Sequence, residues 1–389
     1  MTAEVSSLTG AERGHEWSNA VLVDRSGHDY PLSDPRWRGD DGTPLHVSQI
    51  TGLTPDDIVQ SERSIWRYGA VIPVDGRLRI SLGEGCTPLV ALDWAGQQVR
   101  FKLEWFNPSG SFKDRGASVM LSHLAGQRVT QVLEDSSGNG GAAVAAYAAA
   151  VGIAAKIIVP AATSPAKILQ ARAYGAEIEL VGGTRDQVSD EAIRQSAGIP
   201  YASHNWHPMF LQGIKTIGYE LWEELEFDTP DNIVLVAGAG SLVLGCDLAF
   251  HELLAAGQIE RVPRLLVGQP EEWATIADTI NDVAVDAERF RRPTIAEGAS
   301  IARPVRLPEA VDAIRRSGGA AIGVGDDEIR AATRKLASRG LYAEPTSAVA
   351  AAALERFMTD GTIQAGETTV VVLTGSGLKS AEKMAEMLA

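Results

Sequence analysis

The run Asn107-Pro108-Ser109-Gly110-Ser111-Phe112-Lys113-Asp114-Arg115-Gly116 sets one lysine among small and turn-forming residues, where a helix can begin. The positive end of a helix dipole and shielding from water both disfavour the ammonium form. The neutral amine left behind can attack a carbonyl and form a Schiff base. A lone lysine beside such a turn reads as an ordinary surface residue, so its meaning depends on three further segments.

Glu134-Asp135-Ser136-Ser137-Gly138-Asn139-Gly140-Gly141 follows an apolar run and precedes an alanine-rich stretch. Consecutive small residues let backbone amides face the space at a helix N-terminus, where a carboxylate or phosphate is stabilised. Val236-Ala237-Gly238-Ala239-Gly240-Ser241-Leu242 has the same setting and the make-up of a phosphate cradle. A dinucleotide fingerprint is the competitor, but it wants glycine or alanine at position 243, where valine stands. Val370-Val371-Val372-Leu373-Thr374-Gly375-Ser376-Gly377 reads as a buried strand whose terminal Thr374 offers a hydroxyl to a cleft. Each Gly-rich turn is also compatible with a plain strand-to-helix connection.

The elements that must position these groups alternate between short β-rich and longer helical stretches. Strands are expected at 129–133, 155–159, 177–181, 233–237, 265–268 and 368–374. Helices are expected at 141–151, 165–174, 186–197, 213–225, 242–256, 326–338 and 345–358. Such alternation implies right-handed βαβ units and parallel sheets. Two α/β units with a ligand cleft between them, outside the carboxyl ends of the strands, are the expected architecture. Residues 1–20 read as a frayed terminus and residues 21–75 as an irregular subdomain.

Composition narrows the function. The 389 residues carry a formal net charge of −15, which argues against nucleic acid or an anionic membrane as partner. An anionic ligand must therefore be held by local donors. Cys86 and Cys246 are far apart and have no metal-ligand spacing, which favours a reducing cytoplasm over a disulfide scaffold. The first thirty residues lack an apolar signal core, and no stretch holds the ~20 apolar residues of a membrane helix.

Together the four segments, with Ser81-Leu82-Gly83-Glu84-Gly85-Cys86-Thr87-Pro88-Leu89 and Glu344-Pro345-Thr346-Ser347-Ala348, resemble the fold-type II pyridoxal-phosphate enzymes, and within them threonine synthase and its relatives. The likeness runs from roughly Ser81 to Leu378. It implies two parallel or mixed-sheet α/β domains, a large cofactor-binding one from 76–115 and 210–389 and a small mobile one from 116–209, with residues 1–75 as a zinc-free N-terminal subdomain. It implies that Lys113 binds pyridoxal 5'-phosphate as a Schiff base and then shuttles the proton. Phe112 would neighbour the ring, and Asn139 would meet its hydroxyl oxygen. Gly238, Ala239, Gly240, Ser241 and Leu242 would surround the phosphate, and Thr374 would meet the pyridine nitrogen. Ser136, Ser137, Gly138 and Gly140 would receive the substrate α-carboxylate. A small amino acid undergoing β- or γ-elimination or replacement is the implied substrate, and a homodimer the implied assembly. A 2-oxo-acid-forming threonine or serine dehydratase, a cysteate synthase-like replacement and a catalytically silent homologue are the alternatives.

The chain departs from the threonine synthase pattern in three places. Gly140 stands where threonine follows the asparagine. Phe210 aligns with an arginine that binds the substrate phosphate, which weakens the case for a phosphorylated substrate. An Asn-Ser pair is expected ahead of that arginine, in a stretch that here reads Ser203-His204-Asn205-Trp206-His207; its two histidines read as a packed loop, and the sharper reading is that His204 or Asn205 touches the substrate side chain. Glu297, in Glu297-Gly298-Ala299, is expected either at the cofactor ring or as a helix cap. Residues 21–45 contain no cysteine, so no zinc or other metal is expected.

Overall fold

The computed structural model describes residues 19–285 and 287–388. The stretch expected to fray, 1–20, lies outside them apart from Asn19 and Ala20. The chain opens with three short strands, β1 (Val21–Val23), β2 (Asp29–Pro31) and β3 (His46–Val47). They form an antiparallel sheet of order β2-β1-β3, which gives residues 21–47 more regular pairing than an irregular region would have.

β4 (Leu89–Trp94) and β5 (Gln97–Leu103) form a hairpin. Trp94 pairs with Gln97, so Ala95-Gly96 is a two-residue turn with φ values of 54° and 81°, the left-handed geometry such hairpins need. Next come α1 (Lys113–Gly126), β6 (Gln131–Glu134), α2 (Asn139–Ala150), β7 (Ala154–Pro160), α3 (Pro165–Ala173), β8 (Glu177–Val181) and α4 (Arg185–Gln195). β6, β7 and β8 pair in parallel in that order. Tyr201 then adds a parallel bridge to Leu133.

The chain continues with α5 (Pro208–Ile214), α6 (Thr216–Glu224), β9 (Asn232–Val236), α7 (Ser241–Ala255), β10 (Arg264–Pro270), α8 (Thr275–Ile280), α9 (Leu307–Arg316), β11 (Ala320–Val324), α10 (Asp326–Ser338), α11 (Pro345–Thr359), β12 (Thr369–Leu373) and α12 (Ala381–Leu388). The single helix expected over 213–225 is two helices. The first starts earlier, at Pro208, capped by His207, whose Nδ1 accepts from the Met209 amide.

Six strands make the larger sheet in the order β11-β10-β9-β12-β5-β4, parallel except for the β4 edge. β9 and β12 lie in its interior, and all five residues of each are buried. A central parallel strand covered on both faces needs such a continuous apolar run. Its side chains alternate between two cores. Ile233, Leu235, Val370 and Val372 join the cluster that reaches α1, α2 and the smaller sheet. Val234, Val236, Val371 and Leu373 pack with α10 and α11. The carboxyl ends of β9 and β12 thereby deliver the two glycine-rich turns, 238–242 and 374–377, to one end of the sheet.

Candidate active site

Lys113 is the first residue of α1, and tertiary bonds fix that helix start. The Phe112 amide donates to the Thr374 carbonyl at 3.0 Å, and Ser111 bridges to Gly375. Two residues on, Arg115 is fully buried. Its Nε donates to Glu104 at 2.7 Å and its Nη1 to Glu220 at 2.9 Å. Glu220 also holds Lys102 at 2.6 Å. A guanidinium clamped by two carboxylates cannot rotate away, so the first turn of α1 is held rigidly.

The Lys113 amine lies 4.6 Å from the Phe112 ring centroid and 5.6 Å from that of Phe210. Among the described residues no carboxylate forms a salt bridge with it. Burial lowers its pKa from 10.5 to about 8; the charge of Arg185 adds to the lowering, and Glu134 and Glu344 oppose it. The resting amine is therefore partly neutral near physiological pH.

At the head of α7, Gly240 has φ +89°, and a Cβ there would come 2.9 Å from the Ala310 methyl. A Cβ on Gly238 would press on Ala299 and Ile301 at 3.2 Å. Among the described residues the amides of Gly238, Ala239, Gly240, Ser241 and Leu242 have no hydrogen-bond acceptor. Five unpaired amides at the start of a fifteen-residue helix could hold an anion.

The Ser136–Gly140 turn leads into α2. A Cβ on Gly141 would drive into the Ser136 carbonyl, and one on Gly140 would lie 2.9 Å from His204 Nδ1 and 3.0 Å from Ser136 Oγ. Gly140 is thus a side-chain deletion whose space the His204 imidazole fills. His204 Nδ1 lies 2.8 Å from Glu134 Oε1, and its backbone amide donates to Glu134 Oε2 at 3.0 Å. Glu134, at the carboxyl end of β6, is fully buried. Burial raises its pKa to about 7 and pushes that of His204 well below the usual imidazole range. The neighbouring Asp135 accepts from Tyr201 at 2.8 Å. Asn205 Oδ1 is buried without a partner. Arg306 holds this loop by donating to the carbonyls of Asn205 at 3.2 Å and Trp206 at 2.6 Å. His207 sits apart, as the cap of α5.

Asn139 Nδ2 is 3.1 and 3.3 Å from the two oxygens of Glu344. Glu344 is buried with its pKa raised, chiefly by that burial, and its amide donates to Gly375 at 3.0 Å. Thr374 Oγ1 lies 3.0 Å from Ser347 Oγ. Glu297 opens a short 3-10 turn whose Gly298 and Ala299 lie against Gly238, and it pairs with Lys167 of α3 and with Lys383 at 3.7 Å. With Asp186–Arg303 at 3.1 Å, it ties α3 and α4 to the 297–303 segment. Glu134, Ser347 and Glu344 were not among the expected site residues. Glu344 and Ser347 stood in a recognised motif; Glu134 opened the 134–141 segment, where nothing local marks its carboxylate as functional.

The family model of pyridoxal-phosphate dependent enzymes matches residues 80–375. The threonine synthases of Methanosarcina acetivorans and Methanocaldococcus jannaschii are 33% and 32% identical to the chain. Those alignments cover 83% and 84% of the chain and 82% and 83% of the relatives. The threonine synthase of Mycobacterium tuberculosis is 32% identical over 80% of the chain and 87% of its own length. Of solved structures, threonine deaminase isoform 2 from Solanum lycopersicum superposes with a TM-score of 0.67 at 23% identity, covering 87% of this chain and 94% of that one. Diaminopropionate ammonia lyase from Escherichia coli gives 0.68 at 17%, covering 79% and 88%. These two share the fold.

The chain belongs to the pyridoxal-phosphate dependent enzyme family. It is a lyase or synthase of the threonine synthase type that uses pyridoxal 5'-phosphate and acts on a small amino acid. The residues present suit that cofactor: an amine of lowered pKa, five unpaired amides, and the buried Ser111 hydroxyl, which has no partner. Among the described residues no helix is long and apolar enough to cross a membrane.

Proposed function

We propose that Lys113 is the cofactor-binding and proton-transferring residue of an enzyme that replaces or eliminates a leaving group on an amino-acid side chain. The observation that carries this is the placement of an amine of lowered pKa at the start of α1, tied through Phe112 to Thr374. When bound, pyridoxal phosphate supplies the electron sink for the substrate α-carbon. The amides of Gly238, Ala239, Gly240, Ser241 and Leu242 would hold its phosphate, Phe112 its ring face and Asn139 its hydroxyl oxygen. Thr374, supported by Ser347, would face the pyridine nitrogen. A hydroxyl there, instead of a carboxylate, leaves that nitrogen unprotonated and the sink weaker, which suits elimination and replacement over transamination. The Ser136, Ser137, Gly138 and Gly140 turn would take the substrate α-carboxylate at the α2 N-terminus, with His204 and Asn205 against the substrate side chain. Lys113 would then take the α-proton.

Residues 116–209 would move as a small domain against 76–115 and 210–389, with the Lys167–Glu297 and Asp186–Arg303 pairs closing the mouth. A cytoplasmic homodimer, without nucleic-acid or membrane partner, completes the proposal. Light scattering after gel filtration checks the dimer. The function is tested by incubating the holoenzyme with a panel of free and phosphorylated hydroxy-amino acids and weighing the products. Replacement or loss of the side-chain substituent is expected. Transfer of the amino group to a 2-oxo acid, or no turnover across the panel, would refute it.

A further inference from the structure

Glu134 and His204 form a buried pair that the cofactor roles leave unused. Glu134 is fully buried and His204 is 6% exposed. Glu134 accepts the His204 backbone amide through one oxygen and faces Nδ1 with the other. The imidazole is thus fixed in position, and its Nδ1 is occupied. Among the described residues Nε2 has no hydrogen-bond partner, and the Nδ1–Cε1 edge of the ring fills the space that a side chain at position 140 would take, beside the Ser136 hydroxyl. The ring packs edge-on against Phe210 at 6.0 Å, the same ring that lies 5.6 Å from the Lys113 amine.

We propose that His204 is the acid–base residue for the side-chain oxygen of the substrate, that Glu134 positions it, and that the preferred substrate is an amino acid with a free hydroxyl and not a phosphate ester. The inference rests on Lys113 being the cofactor site. Hydroxide is a poor leaving group and must depart as water. The dyad can supply the proton in one balanced step. The carbon–oxygen bond breaks with its electron pair on oxygen, the oxygen takes the Nε2 proton, and Nδ1 takes the Glu134 proton. In a β-hydroxy amino acid the β-carbon receives its electrons from the Cα–H bond, whose proton Lys113 holds; in a γ-hydroxy one the γ-carbon receives them from a Cβ–H bond, whose proton passes to the same amine. The histidine ends neutral with its tautomer reversed, and Glu134 ends as a carboxylate. When water or another hydroxyl adds, the same path runs backwards. A Glu134 pKa of about 7 suits that exchange.

The charges that reach the pair are Lys113 and Arg185 as cations and Asp135 as an anion. Phe210 sets an apolar ring beside the imidazole, so a phosphate dianion would find no bidentate clamp from that position.

The test compares wild type, His204→Asn and Glu134→Gln, each reconstituted with pyridoxal phosphate, on L-serine, L-threonine, L-homoserine and their O-phospho forms. Wild type should prefer a free hydroxyl, and kcat should fall ~100-fold in both variants with KM within ~3-fold. The ¹⁵N spectrum of histidine-labelled apoprotein should show His204 changing tautomer near pH 7 without becoming an imidazolium, and the change should vanish in Glu134→Gln. A kcat within twofold of wild type in a variant that retains the cofactor overturns the proposal while leaving Lys113 in place. A tenfold preference of wild type for a phospho form, or a fixed His204 tautomer from pH 6 to 8, overturns it as well. Wild type that fails to retain pyridoxal phosphate refutes the Lys113 assignment and this inference with it.

Discussion

The lowered pKa of Lys113 gives a kinetic signature. With a pKa of about 8, roughly a quarter of the amine is neutral at pH 7.5, against about a thousandth for an ordinary lysine. Between pH 6.5 and 9.0 the neutral fraction should rise ~30-fold and level off, whereas an ordinary lysine would rise ~300-fold without levelling. Mixing apoenzyme with pyridoxal phosphate in a stopped-flow instrument and following absorbance near ~410 nm reads this fraction as a capture rate. The half-rise should fall near pH 8. Two substitutions should shift it in opposite directions. Arg185→Gln removes a cation that lowers the Lys113 pKa, so the half-rise moves up. Glu134→Gln removes a carboxylate that raises it, so the half-rise moves down. A rate still climbing log-linearly at pH 9.5, or shifts of the same sign in both variants, would refute the assignment of the lowered pKa to burial among these charges.

Further outcomes follow from packing. Arg115→Met leaves Glu104 buried with only Thr87 and Asn107 as partners and should cost ~3–5 kcal/mol in urea unfolding, with Glu104→Gln in the same chain recovering part of it; a loss below ~1 kcal/mol would contradict the clamp. Gly240→Ala forces a side chain into φ +89° and against Ala310; it should destabilise the protein by ~1–3 kcal/mol and shorten cofactor retention, measured by dialysis and absorbance. Glu297→Ala should change stability by less than ~1 kcal/mol, as expected for a partly exposed pair, but should raise the limited-proteolysis rate within 160–190 if the pair closes the mouth.

The sequence was most legible where one residue pattern has one physical outcome. The all-buried strands β9 and β12 announce themselves as apolar runs flanked by glycine. The bounds expected for 177–181 and 326–338 match β8 and α10. Less visible was the β4–β5 hairpin, because Gln97, Gln98, Arg100 and Lys102 mask its alternation. Lys102 is buried in a strand because Glu220 and Glu224, far along the chain, neutralise it. The break between α5 and α6 also went unread, since Lys215 continues the helical backbone and only its Glu252 partner marks the position.

The residues proposed to hold the cofactor each sit in a local motif. Glu134 opens one of those segments, yet its pairing is not legible there, because its partner His204 lies seventy residues on. Gly140 and Phe210 were visible only as departures. Beside the imidazole, Gly140 is the space the ring occupies and Phe210 the surface it packs on.

The most direct measurement is to reduce the holoprotein with borohydride, digest it and map the modified peptide by mass spectrometry. The pyridoxyl mass should be found on Lys113 alone and be absent from Lys113→Ala. Label on any other lysine, or an unlabelled peptide across position 113, would contradict the central claim.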